Sequence, residues 1–265
     1  MYNFNYHRPD SLDQAAAALS GASDGMLMAG GMTLIPTLKQ RLAGPSDVVD
    51  LGAIGVLAGI TVGDGKVVIG AMTRHVDVAN SAEVKANIPA LASLASHIGD
   101  AQVRNRGTIG GSVANDDPAA DYPSAVLGLG ATVQTNQREI AADDFFDGLF
   151  TTSLNEGEII RSISFPIPEK AAYMKFPNPA SRYAMVGVFV AKTAGGARVA
   201  VTGAGNNGVF RATAMEAALN GNWSADAIDG GGISAGDLLS DIHASAEYRA
   251  HLITVMAKRA VAAAG

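Results

Sequence analysis

Short apolar runs broken by polar or glycine-rich stretches mark out a series of brief strands and helices. Ser11-Leu12-Asp13-Gln14 is a capping box, with Gln three residues after Ser, ahead of an alanine-rich helix that stops at Gly21. Residues 26–29 read as a buried strand that runs straight into Gly30-Gly31. A helix over residues 33–42 follows, with Pro36 tolerated in its first turn. Residues 47–51 form a second strand, so the start of the chain makes a small βαβ-like unit.

Residues 60–62 and 66–69 flank Gly63-Asp64-Gly65 and predict a hairpin. Helices are expected from about Thr73 and over 88–97, the latter with Pro89 early and Gly99 as its stop. Residues 107–121 are dense in glycine and small polar residues. Residues 122–129 read as a helix, and 131–135, 138–141 and 158–167 as strands. Pro166 and Pro168 close the last of these and suggest a domain boundary near 168. Beyond it come strands over 184–192 and 198–202, a helix over 211–219, a glycine-rich linker over 229–232 and a final helix over 245–263. The expected domains are 1–56, 57–168 and 169–265.

Two glycine turns carry the candidate chemistry. Ala29-Gly30-Gly31-Met32-Thr33 sits where a strand ends and a helix begins. Backbone N–H groups converge at such a turn, the helix dipole favours an anion, and glycine lets the backbone approach a phosphate. The same pattern also makes a plain strand–helix turn. Thr108-Ile109-Gly110-Gly111-Ser112-Val113-Ala114-Asn115 is the second, followed by Asp121 just before a helix. Thr108, Ser112 and Asn115 supply polar groups, and Asp121 can cap the helix or accept bonds from hydroxyls. Alone, this stretch also reads as a capped loop. Two Gly-Gly turns together suit a ligand long enough to touch both, such as a dinucleotide.

Composition narrows the classes. The 265 residues carry a net charge of −6 with no basic stripe, which argues against nucleic acid. No apolar run approaches the ~20 residues of a membrane span, and the first residues lack the apolar core of a signal peptide. A cytoplasmic protein is expected, or one held at the inner membrane through a complex. Cysteine is absent, which excludes disulfides, Cys-ligated metals and clusters held by this chain. The five histidines show no metal-binding spacing. Any redox chemistry must then rest on an organic cofactor.

Residues 29–36 resemble the AGGxSLLP motif of the FAD-binding domain of molybdopterin dehydrogenases, the xanthine oxidase group. Residues 107–115 and 117–123 resemble that family's second FAD motif, and 69–75, 102–106 and 173–187 match as well. The resemblance spans the whole chain and is nearest to the medium subunits of aerobic carbon monoxide dehydrogenases. It implies an α+β fold: a two-part FAD-binding domain of the vanillyl-alcohol-oxidase type, then a small C-terminal α/β domain with an antiparallel sheet. It implies FAD, with the amides of Ala29, Gly30, Gly31, Met32 and Thr33 on the diphosphate. Thr108, Gly110, Gly111, Ser112 and Asn115 would line the second loop, Asp121 would reach the ribityl or ribose region, and Lys175 would lie near the flavin. Met32 stands where His or Gln is usual, which leaves the backbone cradle intact.

The partners implied are a large molybdopterin subunit and a small [2Fe–2S] subunit, in a dimer of heterotrimers. Electrons would pass from the clusters to FAD and on to an acceptor such as quinone. The alternatives are the flavin subunit of an aldehyde, xanthine or N-heterocycle hydroxylase, and a non-redox nucleotide-binding assembly module.

Other features read more plainly. Gly203-Ala204-Gly205-Asn206-Asn207-Gly208 satisfies GxGxxG, but its helix starts too late and its strands look antiparallel, so it is expected to be a structural turn. Arg104 and Arg106, on a strand or loop, suit a subunit contact or FAD phosphates. His75 is expected to be exposed at a helix start, and Asp143, Asp144 and Asp147 to lie in a solvated loop. Ser112 is not in a nucleophile elbow.

Overall fold

Three sheets organise the chain in the computed structural model, which describes residues 1–229 and 232–265. The linker expected over 229–232 therefore lies partly outside the described residues.

The first sheet holds β1 (Asn5–His7), β2 (Gly25–Met28) and β3 (Asp47–Asp50) in the order β1-β3-β2, all parallel. Helix α1 (Leu12–Ser20) joins β1 to β2 and is capped as expected, with Ser11 Oγ accepting from the Gln14 amide at 3.4 Å. Helix α2 (Leu34–Lys39) joins β2 to β3 and is shorter than the sequence suggested. Strand β1 was not foreseen. Its polar Asn-Tyr-His run carries no apolar alternation, and it is fixed by pairing with β3.

The second sheet is antiparallel, in the order β4-β5-β8-β6-β7. Strands β4 (Ile60–Gly63) and β5 (Lys66–Gly70) form the expected hairpin. Six helices follow before the sheet resumes, the first five being α3 (His75–Asn80), α4 (Ala82–Asn87), α5 (Pro89–Ser96), α6 (Ala101–Arg106) and α7 (Ile109–Asn115). Helix α8 (Tyr122–Gly128) leads into β6 (Thr132–Thr135), β7 (Glu139–Ala141) and β8 (Ile160–Pro166). Residues Val67, Ile69, Val133, Ile163 and Phe165 alternate onto the face that packs on Leu91, Leu94 and Ile109. Residues 104 and 106 lie on helix α6, not on a strand or loop. Asp100 caps it, its Oδ1 accepting from the Val103 amide at 2.8 Å.

The third sheet is β12-β11-β10-β9, antiparallel throughout: β9 (Lys170–Pro177), β10 (Ala184–Thr193), β11 (Gly196–Thr202) and the short β12 (Phe210–Arg211). Helices α9 (Thr213–Gly221) and α10 (Ala246–Ala264) cover one face. Strand β10 is buried from Ala184 to Ala191, and its two-residue period divides it between two cores. Val186, Val188 and Val190 pack with Leu252, Ile253 and Met256 of α10. Phe189 and Ala191 turn the other way, into the core of the second sheet and its helices. On β9, Tyr173 shares that second face, so this strand reaches the glycine-rich region.

Candidate cofactor-binding site

The two glycine turns meet. At Gly30 an added Cβ would stand 2.1 Å from the Arg106 carbonyl oxygen and 2.8 Å from the Gly107 Cα, so only glycine allows this contact. Gly111 closes on the other side, where a Cβ would come within 3.2 Å of the Ala29 Cβ. Between and beyond them runs one cleft of about 520 Å³, lined by Ala29 to Thr33, Thr108, Gly110 to Ser112, Asn115 and Asp121. Eleven of the twelve predicted site residues thus share one surface. Lys175 is not on that surface.

The turns play different parts. Gly31 has φ +73°, so the chain reverses there and hands over to α2. The amides of Gly30, Gly31, Met32 and Thr33 donate to no protein group among the described residues. The second turn is already engaged. Helix α7 occupies residues expected to be a loop, with Thr108 as its cap: Thr108 Oγ1 accepts from the Gly111 amide at 3.2 Å. The Gly110 amide donates to the Ala71 carbonyl at 2.8 Å, and a Cβ at Gly110 would collide with Ala71. Among the described residues, the first turn thus keeps its amides free of protein partners, and the Gly110 and Gly111 amides are engaged. Gly110 is needed for backbone packing, while the Ser112 and Asn115 side chains have no hydrogen-bond partner among the described residues.

Asp121 is buried at the start of α8, and burial pushes its carboxyl up. The Lys175 ammonium and the Tyr173 hydroxyl oppose this: Lys175 Nζ donates to Oδ2 at 2.9 Å and Tyr173 Oη donates to Oδ1. Lys175 also donates to the His97 carbonyl at 3.1 Å. Lys175 thus acts from behind the wall, on Asp121.

His75 was expected at the surface and is instead buried at 4% exposure in the cleft wall. Its ring lies 5.3 Å from the ring of buried Tyr122. Burial first, then the charge of Arg104, lower its pKa to about 4, so the imidazole is neutral. The sequence also missed Arg182 and Tyr183 in the wall. They follow a turn in which Asn178 Oδ1 accepts from the Ala180 and Ser181 amides, and Arg182 has φ +62°. Asn178-Pro179 is the turn signal that could have located them.

These features fit FAD. The free amides and the start of α2 suit a diphosphate. Ser112 and Asn115 suit hydroxyls, and the apolar walls of Met26, Leu27, Leu51, Met72 and Ile159 suit flat rings.

Comparison with known proteins agrees with this geometry. The family model for the FAD binding domain in molybdopterin dehydrogenase matches residues 2–168, and that for the CO dehydrogenase flavoprotein C-terminal domain matches 171–264. The chain belongs to the FAD-binding subunits of molybdopterin dehydrogenases: it is an FAD-dependent oxidoreductase subunit of the molybdenum hydroxylase family. Among its relatives, the nicotine 6-hydroxylase medium subunit of Paenarthrobacter nicotinovorans is 35% identical over 98% of this chain and 96% of its own. The carbon monoxide dehydrogenase medium chain of Afipia carboxidovorans is 34% identical over the same shares. A solved carbon monoxide dehydrogenase from Hydrogenophaga pseudoflava superposes with a TM-score of 0.92 at 35% identity, covering 99% of this chain and 97% of that one. No helix among the described residues is long and apolar enough to cross a membrane.

Proposed function

We propose that this chain is the electron-transfer subunit of a molybdenum hydroxylase of the carbon monoxide dehydrogenase type. It would receive electrons from [2Fe–2S] clusters on a small partner subunit. Those electrons originate at a molybdopterin centre on a large one and leave to an external acceptor such as quinone. The observation that carries the reading is the row of unpaired amides from Gly30 to Thr33 at one wall of a cleft that also holds Asp121. Bound FAD supplies the exchange between paired and single electrons. The protein's part is to hold the diphosphate on the first glycine turn. Ser112 and Asn115 orient the hydroxyl-bearing chain, and the apolar walls exclude water from the rings. Thr108 fixes the start of α7, and Lys175 and Tyr173 hold the Asp121 carboxyl in place.

The nicotine-hydroxylase relative supports a second reading, in which the large subunit acts on an N-heterocycle. The flavin chain is nearly as similar to one relative as to the other, so substrate choice is assigned to the large subunit.

The test is quinone reduction by the assembled complex, with substrate added, before and after removal of FAD. Loss of quinone reduction without FAD, with the clusters still reduced by substrate, supports the relay. Quinone reduction at an unchanged rate without FAD contradicts it.

A further inference from the structure

His75 stands where the first glycine turn closes on Gly107. Its backbone amide donates to the Gly107 carbonyl at 3.0 Å, and Gly107 is the residue on which Gly30 closes. A Cβ at Gly107 would lie 2.5 Å from His75 Nε2, so the ring edge fills the space directly under this junction. Two strips of chain are laced together here. Besides the His75–Gly107 bond, the Ile109 amide donates to the Thr73 carbonyl at 3.1 Å and the Gly110 amide to the Ala71 carbonyl.

The ring itself has an unusual polar balance. Nδ1 is sealed from solvent and has no hydrogen-bond partner. Nε2 also has no protein partner among the described residues. A neutral imidazole carries one proton. Placing it on the sealed Nδ1 would leave a buried donor unpaired, at a cost of roughly 1–3 kcal/mol. The tautomer with the proton on Nε2 leaves at Nδ1 only an unpaired acceptor, which buried sites tolerate better than an orphaned N–H, and it aims a neutral donor at the junction. The Tyr122 ring fixes the plane from behind.

We propose that His75 is a cofactor-binding residue whose Nε2–H donates to a diphosphate oxygen of bound FAD, beside the free amides of Gly30 to Thr33. This rests on the reading that the junction holds the diphosphate. A neutral donor has a clear advantage over a lysine here, because it adds a bond without adding a charge that a buried wall would have to neutralise.

The test compares His75→Asn with His75→Phe in the full-length chain, titrated with FAD, ADP and riboflavin. Asn keeps an N–H donor at reduced volume; Phe keeps the ring and loses the donor. The expected result is that His75→Phe weakens FAD and ADP by about tenfold or more, the range of a bond to a charged group. Riboflavin, which has no diphosphate, should be unaffected, and His75→Asn should retain the larger part of the affinity. A packing role would give the reverse, with Phe tolerated and Asn costly, and that result overturns the proposal. If neither variant folds, the ring-nitrogen resonances of wild-type His75 serve. A shift of Nε2 on adding ADP supports the assignment, and an unmoved Nε2 overturns it. Wild-type protein that binds no FAD would instead remove the underlying reading, a different outcome from wild-type binding with indifferent variants.

Discussion

Gly30 rests on the carbonyl of Arg106 so closely that no β-carbon fits between them: the nearest approach would be 2.1 Å. The obstacle is backbone on helix α6, itself capped by Asp100, and cannot swing aside as a side chain could. Gly30→Ala must therefore part the two turns. The expected cost is about 1–3 kcal/mol of stability, as for overpacking generally, together with loss of bound flavin. The flavin-to-protein ratio of the purified variant and its thermal midpoint check this. A variant with a full complement of FAD would show that the contact is dispensable.

Lys175 supports Asp121 from behind. Removing its charge by Lys175→Met leaves a buried carboxylate with only Tyr173 as partner, and breaking a buried pair in this way costs roughly 3–5 kcal/mol. The double variant Lys175→Met/Asp121→Asn removes both charges and should recover much of that loss. Urea unfolding of the two variants beside the wild type measures it. Equal destabilisation in single and double variants would mean that the pair is not coupled.

Tyr183 stands in the cleft wall with 48% of its surface exposed, a ring available to stack on a flat ligand. Tyr183→Ala should weaken FAD by an amount equivalent to about 0.5–1.5 kcal/mol and should brighten flavin fluorescence, since a contacting tyrosine quenches it. Unchanged affinity and fluorescence would place the ring away from the flavin.

Two buried groups give the chain opposing pH dependences. Burial, then Asp117, raise Asp116 to about 7. From about pH 4 to 7 the folded state therefore holds a proton that the unfolded state has released, and stability falls as pH rises. His75, lowered to about 4, does the reverse. From about pH 4 to 6.5 the unfolded state binds a proton the native state refuses, so stability rises with pH. Each slope is at most about 1.4 kcal/mol per pH unit. Across the shared window these two contributions oppose each other, and above it only that of Asp116 remains. Asp116→Asn should unmask the rise, becoming more stable between roughly pH 4.5 and 6.5 and level beyond. Urea midpoints across that range decide it, and a profile for Asp116→Asn parallel to the wild type would contradict the assignment.

The sequence displayed the parts of this site whose causes are local. Ser11 caps α1 through a residue three positions away, and the Gly30-Gly31 turn follows its own strand. What it hid depends on distant partners. Helix α7 looked like a loop because Gly110 and Gly111 are poor helix formers, and the Ala71 carbonyl that engages the Gly110 amide lies far along the chain. Strand β9 was overlooked because its Lys-Ala-Ala-Tyr-Met-Lys run shows little alternation; its pairing with β10 decides its conformation. His75 is polar and was read as exposed, yet Tyr122 and Gly107 enclose it. The partner of Lys175 could not be read locally, since the carboxylate it holds is 54 residues earlier in the chain.

Amide hydrogen exchange of the full chain with and without FAD is the most direct test of how the cofactor is held. The free amides of Gly30, Gly31, Met32 and Thr33 should become strongly protected when FAD binds. Those of Gly110 and Gly111, already bonded to Ala71 and Thr108, should change little. Protection confined to residues 107–115, with 30–33 exchanging as fast as before, would contradict the account.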